Sequence, residues 1–141
     1  MNIYRLIYVH LIEEYRNEEY FLGYYSSIEK VQSNILLYQS LPGFRENPCN
    51  FVIQNVSVEG EIIDKNVYEV QFYLHDDNFS IEYDCYIGVF NSEEHAIIAL
   101  DDFKGFNQEH IIRCKCNKEY FINKIILDEP VLSEGFTIDY Y

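Results

Sequence analysis

A chain of 141 residues with 48% hydrophobic content has enough apolar surface for a buried core, while 24 acidic residues against 10 basic ones leave a formal charge of −14. Its 14 tyrosines and 10 phenylalanines exclude a disordered acidic tail, a class poor in aromatic residues. The negative field also argues against nucleic acid as a ligand, because it repels phosphates and draws in basic partners.

No run approaches the roughly 18 consecutive apolar residues of a membrane span. The opening "MNIYRLIYVH" lacks the basic-then-apolar layout of a signal peptide. A cytoplasmic location without a membrane partner is therefore expected. Cys49, Cys85, Cys114 and Cys116 do not form the dense framework of a secreted disulfide scaffold and read as free thiols.

In chain order, "IYRLIYVHLI" alternates, placing Tyr4, Leu6, Tyr8 and His10 on one face of a strand and Arg5, Ile7 and Val9 on the other. A polar connection leads to "LGYYSSIEK", residues 22–30, which starts as a second strand and ends as a helix. Ser26 with Glu29 has the form of a helix N-cap. The serines there read as caps; a nucleophile would need a histidine base that no motif places beside them. Val31, Ile35 and Tyr38 then make one apolar stripe, and "LPGF" at 41–44 stops the helix through Pro42 and a left-handed Gly43. "FVIQNVSV" at 51–58 reads as a third strand, and "EGEIIDKN" at 59–66 as the linker.

The same order then returns. "VYEVQFYLH" alternates with Tyr68, Val70, Phe72 and Leu74 on one face and Glu69 and Gln71 on the other, which is expected to meet solvent. "IGVFNSEEH" at 87–95 echoes residues 22–30, with Asn91 and Glu94 as the cap pair. Ala96, Leu100 and Phe103 repeat the stripe, and "KGF" at 104–106 ends a helix expected to be about one turn shorter than the first. "HIIRCKC" and "EYFINKIIL" read as a strand pair joined at Asn117-Lys118, and the tail "VLSEGFTIDYY" as an edge strand or a wrap. The expected fold is a mostly antiparallel α+β domain: two strand-strand-helix-strand repeats, 1–62 and 66–141, forming one compact unit over 1–141 with both helices on one face of the sheet.

The stretches "FLGYYSSIEK", "LPGF" and "FVIQNVSV", with the closing "SEGF", resemble a family of small uncharacterised bacterial domains, usually present as one copy. The likeness covers residues 3–58 and, more weakly, 67–106 with the tail, which would make this chain a divergent tandem version. It implies the fold and no chemistry, so no functional residue is carried over from it.

His110, Cys114 and Cys116 share one strand face in a His-x3-Cys-x-Cys pattern. The spacing of paired zinc knuckles is missing, so buried thiols are expected, with no metal and no cofactor. No glycine-rich phosphate loop, dinucleotide fingerprint or His-Glu-x-x-His motif occurs, and no enzyme activity is expected. His10 aligns with Leu74 and reads as a core histidine.

Charge carries the functional reading. Residues 1–65 hold nine acids and five bases, and residues 66–141 hold fifteen and five, so the second half is where a basic partner is expected to dock. Asp76, Asp77, Glu82, Asp84, Glu93, Asp101 and Asp102 are the candidate contact residues, with exposed tyrosines as anchors. The function this suggests is a protein-binding inhibitor, such as an immunity protein that neutralises a basic, possibly nuclease, toxin. A phage-encoded inhibitor of host defence would use the same physics. A small-ligand or regulatory module is the alternative, and an enzyme would need a cleft joining carboxylates to His75 or His95.

Overall fold

The computed structural model describes residues 1–13, 16–47, 50–75, 77–78, 82–106, 117–132 and 135, with the backbone alone for 12, 13, 16, 17, 82–84 and 106. The elements are β1 (Asn2–Glu13), β2 (Arg16–Tyr25), α1 (Ile28–Gln39), β3 (Phe51–Ser57), β4 (Asn66–His75), β5 (Glu82–Phe90), α2 (Glu93–Phe106) and β6 (Asn117–Ile126). The α+β class and the strand-strand-helix-strand order are as expected.

The strands do not join into one sheet. Among the described residues they form two sheets of three strands, ordered β2-β1-β3 and β5-β4-β6, and β1 is antiparallel to β2 and β3 as β4 is to β5. One cause lies at the outer edge of β2, where the Asp128 N–H donates to the Tyr24 carbonyl at 2.8 Å and the Val131 N–H to that of Leu22 at 3.3 Å. An edge already hydrogen-bonded by the tail has no ladder to offer another strand.

Both hairpins carry a bulge at the same place. Leu6 lies opposite Gly23 and Ile7 opposite Phe21, so Leu22 is the extra residue; Val70 lies opposite Gly88 and Gln71 opposite Tyr86, so Ile87 is its counterpart. A bulge sharpens strand twist, and each one here sits immediately before the turn into a helix. This is the structural content of the echoed sequences.

By packing, the chain divides into two units: Asn2–Ser57 with Ile126–Tyr141, and Met1 with Val58–Ile125. The expected second repeat, 66–141, therefore gives up its last residues to the first unit, and the expected linker belongs to the second.

In the first unit, β1 is covered on both faces, since Ile3 and Ile7 are buried as well as Leu6 and Tyr8. α1 presses Val31 and Tyr38 onto a core of Leu6, Tyr8, Leu22, Tyr25 and Phe44. The aromatic rings meet edge to face, Tyr8 with Phe44 at 4.8 Å and Tyr38 with Phe44 at 5.1 Å. Such pairs add about 0.5–1.5 kcal/mol beyond the area they bury. The buried Tyr8 hydroxyl donates to the Asn47 carbonyl at 3.1 Å, so its polar end is satisfied.

In the second unit, Ala96 and Leu100 of α2 pack on Val70. Phe72 sits between the rings of Phe103, at 5.4 Å, and Tyr120, at 5.0 Å. Phe103 lies on Phe72 and Ala96 on Val70, so α2 runs in the same direction as β4. The face of β4 expected to meet solvent is covered: Glu69 is 3% exposed and Val67 fully buried, and the Glu69 carboxylate accepts from Gln71 Nε2 at 2.6 Å. Alternation identified the polar face of β4 without revealing that something lies over it.

Three local expectations are corrected. α2 has 14 residues against 12 in α1, so it is the longer helix; it lacks a proline and runs through Gly105. Asn117 and Lys118 lie within β6 and form no turn. The N-caps sit one residue later than expected, at Ser27 and Ser92.

Candidate functional site

The two caps explain the serines and free the residues before them. Ser27 Oγ accepts from the Lys30 N–H at 3.3 Å, and Ser92 Oγ from the His95 N–H at 3.1 Å. Ser26 N–H donates to Asp128 Oδ1 at 2.7 Å, and its hydroxyl donates to Oδ2 at 2.8 Å. Lys30 Nζ closes the group, donating to Ser26 Oγ at 3.2 Å and to Asp128 Oδ2 at 3.0 Å. At the matching corner, Asn91 Nδ2 donates to the Glu61 carbonyl at 2.9 Å. Ser26 and Asn91 thus hold the segments that follow β6 and β3.

Lysine beside serine can in principle make a nucleophile. Here the ammonium donates to the hydroxyl, and the hydroxyl donates onward to a carboxylate whose lowered pKa makes it a weak base, so Ser26 is held as a hydrogen-bond link. Burial raises the Asp128 pKa; the Ser26 N–H, the Lys30 ammonium and the Ser26 hydroxyl outweigh it and hold the carboxyl below its ordinary value. The group is a lock between tail and corner.

The acidic candidates all fall in the second unit, at two levels along it. Asp77, beyond the end of β4, accepts from Asn117 Nδ2 at 2.8 Å. Glu82 and Asp84 lie on β5 opposite His75 and Tyr73; their side chains, and Asp76 as a whole, lie outside the described residues. Glu93 opens α2 near the other end of the hairpin, since Phe90 pairs with Tyr68. Asp101 and Asp102 lie about 12 Å further along the helix, back toward the level of Asp77. All four described candidates, Asp77, Glu93, Asp101 and Asp102, are exposed. They form a spread face with no convergent pocket of carboxylates.

Sequence reasoning missed two features of this face. Glu94 stands exposed beside Glu93, and Ile97 and Ile98 are exposed between the acids. The signal was available in helical spacing, since Glu94, Ile97, Ile98 and Asp101 follow i, i+3, i+4, i+7 opposite the core stripe. Of the described tyrosines, Tyr8, Tyr24, Tyr25 and Tyr38 are core residues and Tyr86 is exposed.

The charge asymmetry also shrinks. The first unit carries ten acids and four bases, the second fourteen and six, because 126–141 brings four acids and no base. Position on α2, more than net charge, distinguishes the second unit.

His75 Nε2 lies 3.8 Å from Glu119 Oε2, and His95 Nδ1 lies 2.7 Å from Asn91 Oδ1 at the start of α2. The two histidines belong to opposite ends of the hairpin. His110, Cys49, Cys114 and Cys116 lie outside the described residues, and Cys85 is a half-buried free thiol. A cavity of ≈ 250 Å³ in the first unit is lined by Asn34, Leu37, Tyr38, Ser40, Leu41 and Pro130. The Asn34 amide and Ser40 hydroxyl donate to the Lys30 and Leu37 carbonyls, leaving a chiefly apolar wall. No protein-family model matches the chain, and no curated protein or solved structure matches it, so the functional argument rests on the chemistry of these residues.

Proposed function

We propose that the chain is an acidic, cytoplasmic protein-binding inhibitor, an immunity protein that neutralises a basic toxin. The observation that carries this reading is the exposed carboxylate set of α2, Glu93, Glu94, Asp101 and Asp102, in a chain of charge −14. A nuclease that grips phosphates presents a positive site, and an acidic face competes for that site while accelerating encounter. The likeness of the first half to small bacterial domains fits a bacterial setting for both proteins.

The test is to look for a basic protein encoded beside this one and to mix the two rapidly. A stoichiometric complex is expected, with an association rate that falls steeply with salt. Reversing Glu93, Asp101 and Asp102 to lysine slows association more than reversing the exposed Glu18 and Glu19. A salt-independent rate would sink the reading. The alternative, a small apolar-ligand module, draws on the ≈ 250 Å³ cavity beside α1; displacement of a bound fluorescent fatty acid by a Leu37→Trp substitution would favour it.

A further inference from the structure

The outer stripe of α2 is built differently from that of α1. The outward positions of α1 are Gln32, Ser33, Leu36 and Leu37, with the two leucines 69% and 65% exposed; their counterparts in α2 are Ile97, Ile98, Asp101 and Asp102, with the isoleucines 44% and 52% exposed. Each helix thus leaves two adjacent apolar side chains in contact with water, and of the two pairs only the one on α2 has carboxylates one turn before and one turn after it. Water contact over two adjacent isoleucines is unfavourable, and covering such a side chain contributes about 1.5–3 kcal/mol.

The surroundings define what can cover them. Glu94 precedes the pair by one turn, and Asp101 and Asp102 follow it by one turn, all exposed. Beyond them, among the described residues, a Cβ added at Gly105 would meet nothing within 4 Å. Lys104 is turned away, with its ammonium 4.1 Å from the centre of the Tyr120 ring. An apolar strip with carboxylates at both ends is complementary to a helix carrying leucine-like residues between lysines or arginines.

We infer that this face of α2 docks a basic amphipathic helix of the partner protein, with Ile97 and Ile98 as its anchors and Glu94, Asp101 and Asp102 as its charged rim. The inference rests on the reading of the chain as an inhibitor of a basic protein. It adds the surface and the secondary structure of the bound segment.

The test titrates the isotope-labelled full chain, by amide NMR, with a synthetic helical peptide as long as α2 that carries leucines at helical spacing between lysines. A second peptide has every leucine replaced by serine. The leucine peptide is expected to move the amide signals of 93–104 and to bind about tenfold more tightly than its serine counterpart. The double variant Ile97→Ser, Ile98→Ser, whose melting temperature should match the parent's because both side chains are exposed, is expected to lose that tenfold. Equal binding of the two peptides, shifts elsewhere, or a double variant that binds like the parent would overturn the docking face and leave the electrostatic reading standing. If neither peptide binds at low salt, the docking face and the reading beneath it both fall.

Discussion

Asp128 shows how one side chain can tie a tail to a corner. Its backbone is left-handed, with φ 69°, and its carboxylate takes the Ser26 N–H, the Ser26 hydroxyl and the Lys30 ammonium. A carboxyl whose pKa is depressed on folding contributes stability above its unfolded value, near 3.8 here, and that contribution is lost as pH falls through the folded value. Asp128→Asn is expected to cost about 1–2 kcal/mol at neutral pH. The difference from the parent should narrow as pH falls below about 4 and vanish only below the lowered folded value, as read from urea unfolding across pH. Lys65 makes the opposite case. Asp64 and Lys65 stand side by side at φ 53° and 60°, where an L side chain is strained. Lys65→Gly is therefore expected to raise stability by about 0.5–1 kcal/mol in the same assay.

At the level of elements, the paired glycines before the helices are not equivalent. Gly23 has φ 120°, and a Cβ there would come 2.9 Å from the Glu129 carbonyl oxygen; at Gly88 it would meet the Phe90 ring at 3.2 Å. Gly23→Ala is expected to cost about 2–4 kcal/mol and Gly88→Ala about 1 kcal/mol or less, measured by thermal unfolding. In Gly23→Ala the Asp128 and Val131 amides should lose protection from hydrogen exchange. Periodicity made β1, β4, α1 and α2 readable, because alternation and the Val31 and Ala96 stripes are local properties. The caps were misplaced by one residue because Ser26 and Asn91 have the right chemistry for a cap, and only their distant partners, Asp128 and Glu61, claim them for another bond. "KGF" marked the end of α2, which stops at Phe106 as expected; its length was misjudged because the helix runs through Gly105 without a proline to cut it short. On the candidate site, the acids were legible and their exposure held for Asp77, Glu93, Asp101 and Asp102. The division into two sheets and the burial of Glu69 depend on contacts far apart in sequence, which no short window contains.

For the whole molecule, a charge of −14 sets a baseline of self-repulsion that packing must overcome. Raising ionic strength from about 0.01 to 0.15 M shortens the screening length from about 30 to 8 Å. The melting temperature is expected to rise over that interval, and a fall or no change would mean that the acids are already compensated within the fold.

Because residues 126–141 pack with residues 2–57 as one unit, that unit cannot finish folding before the segment after Ile125 has been synthesised. Its edge partner emerges from the ribosome after residues 58–125, so the nascent chain must hold an open β2 edge until Asp128 and Val131 arrive. A stop codon placed after Ile126 would leave that edge permanently bare, so a chain cut there should offer β2 to other molecules for strand pairing.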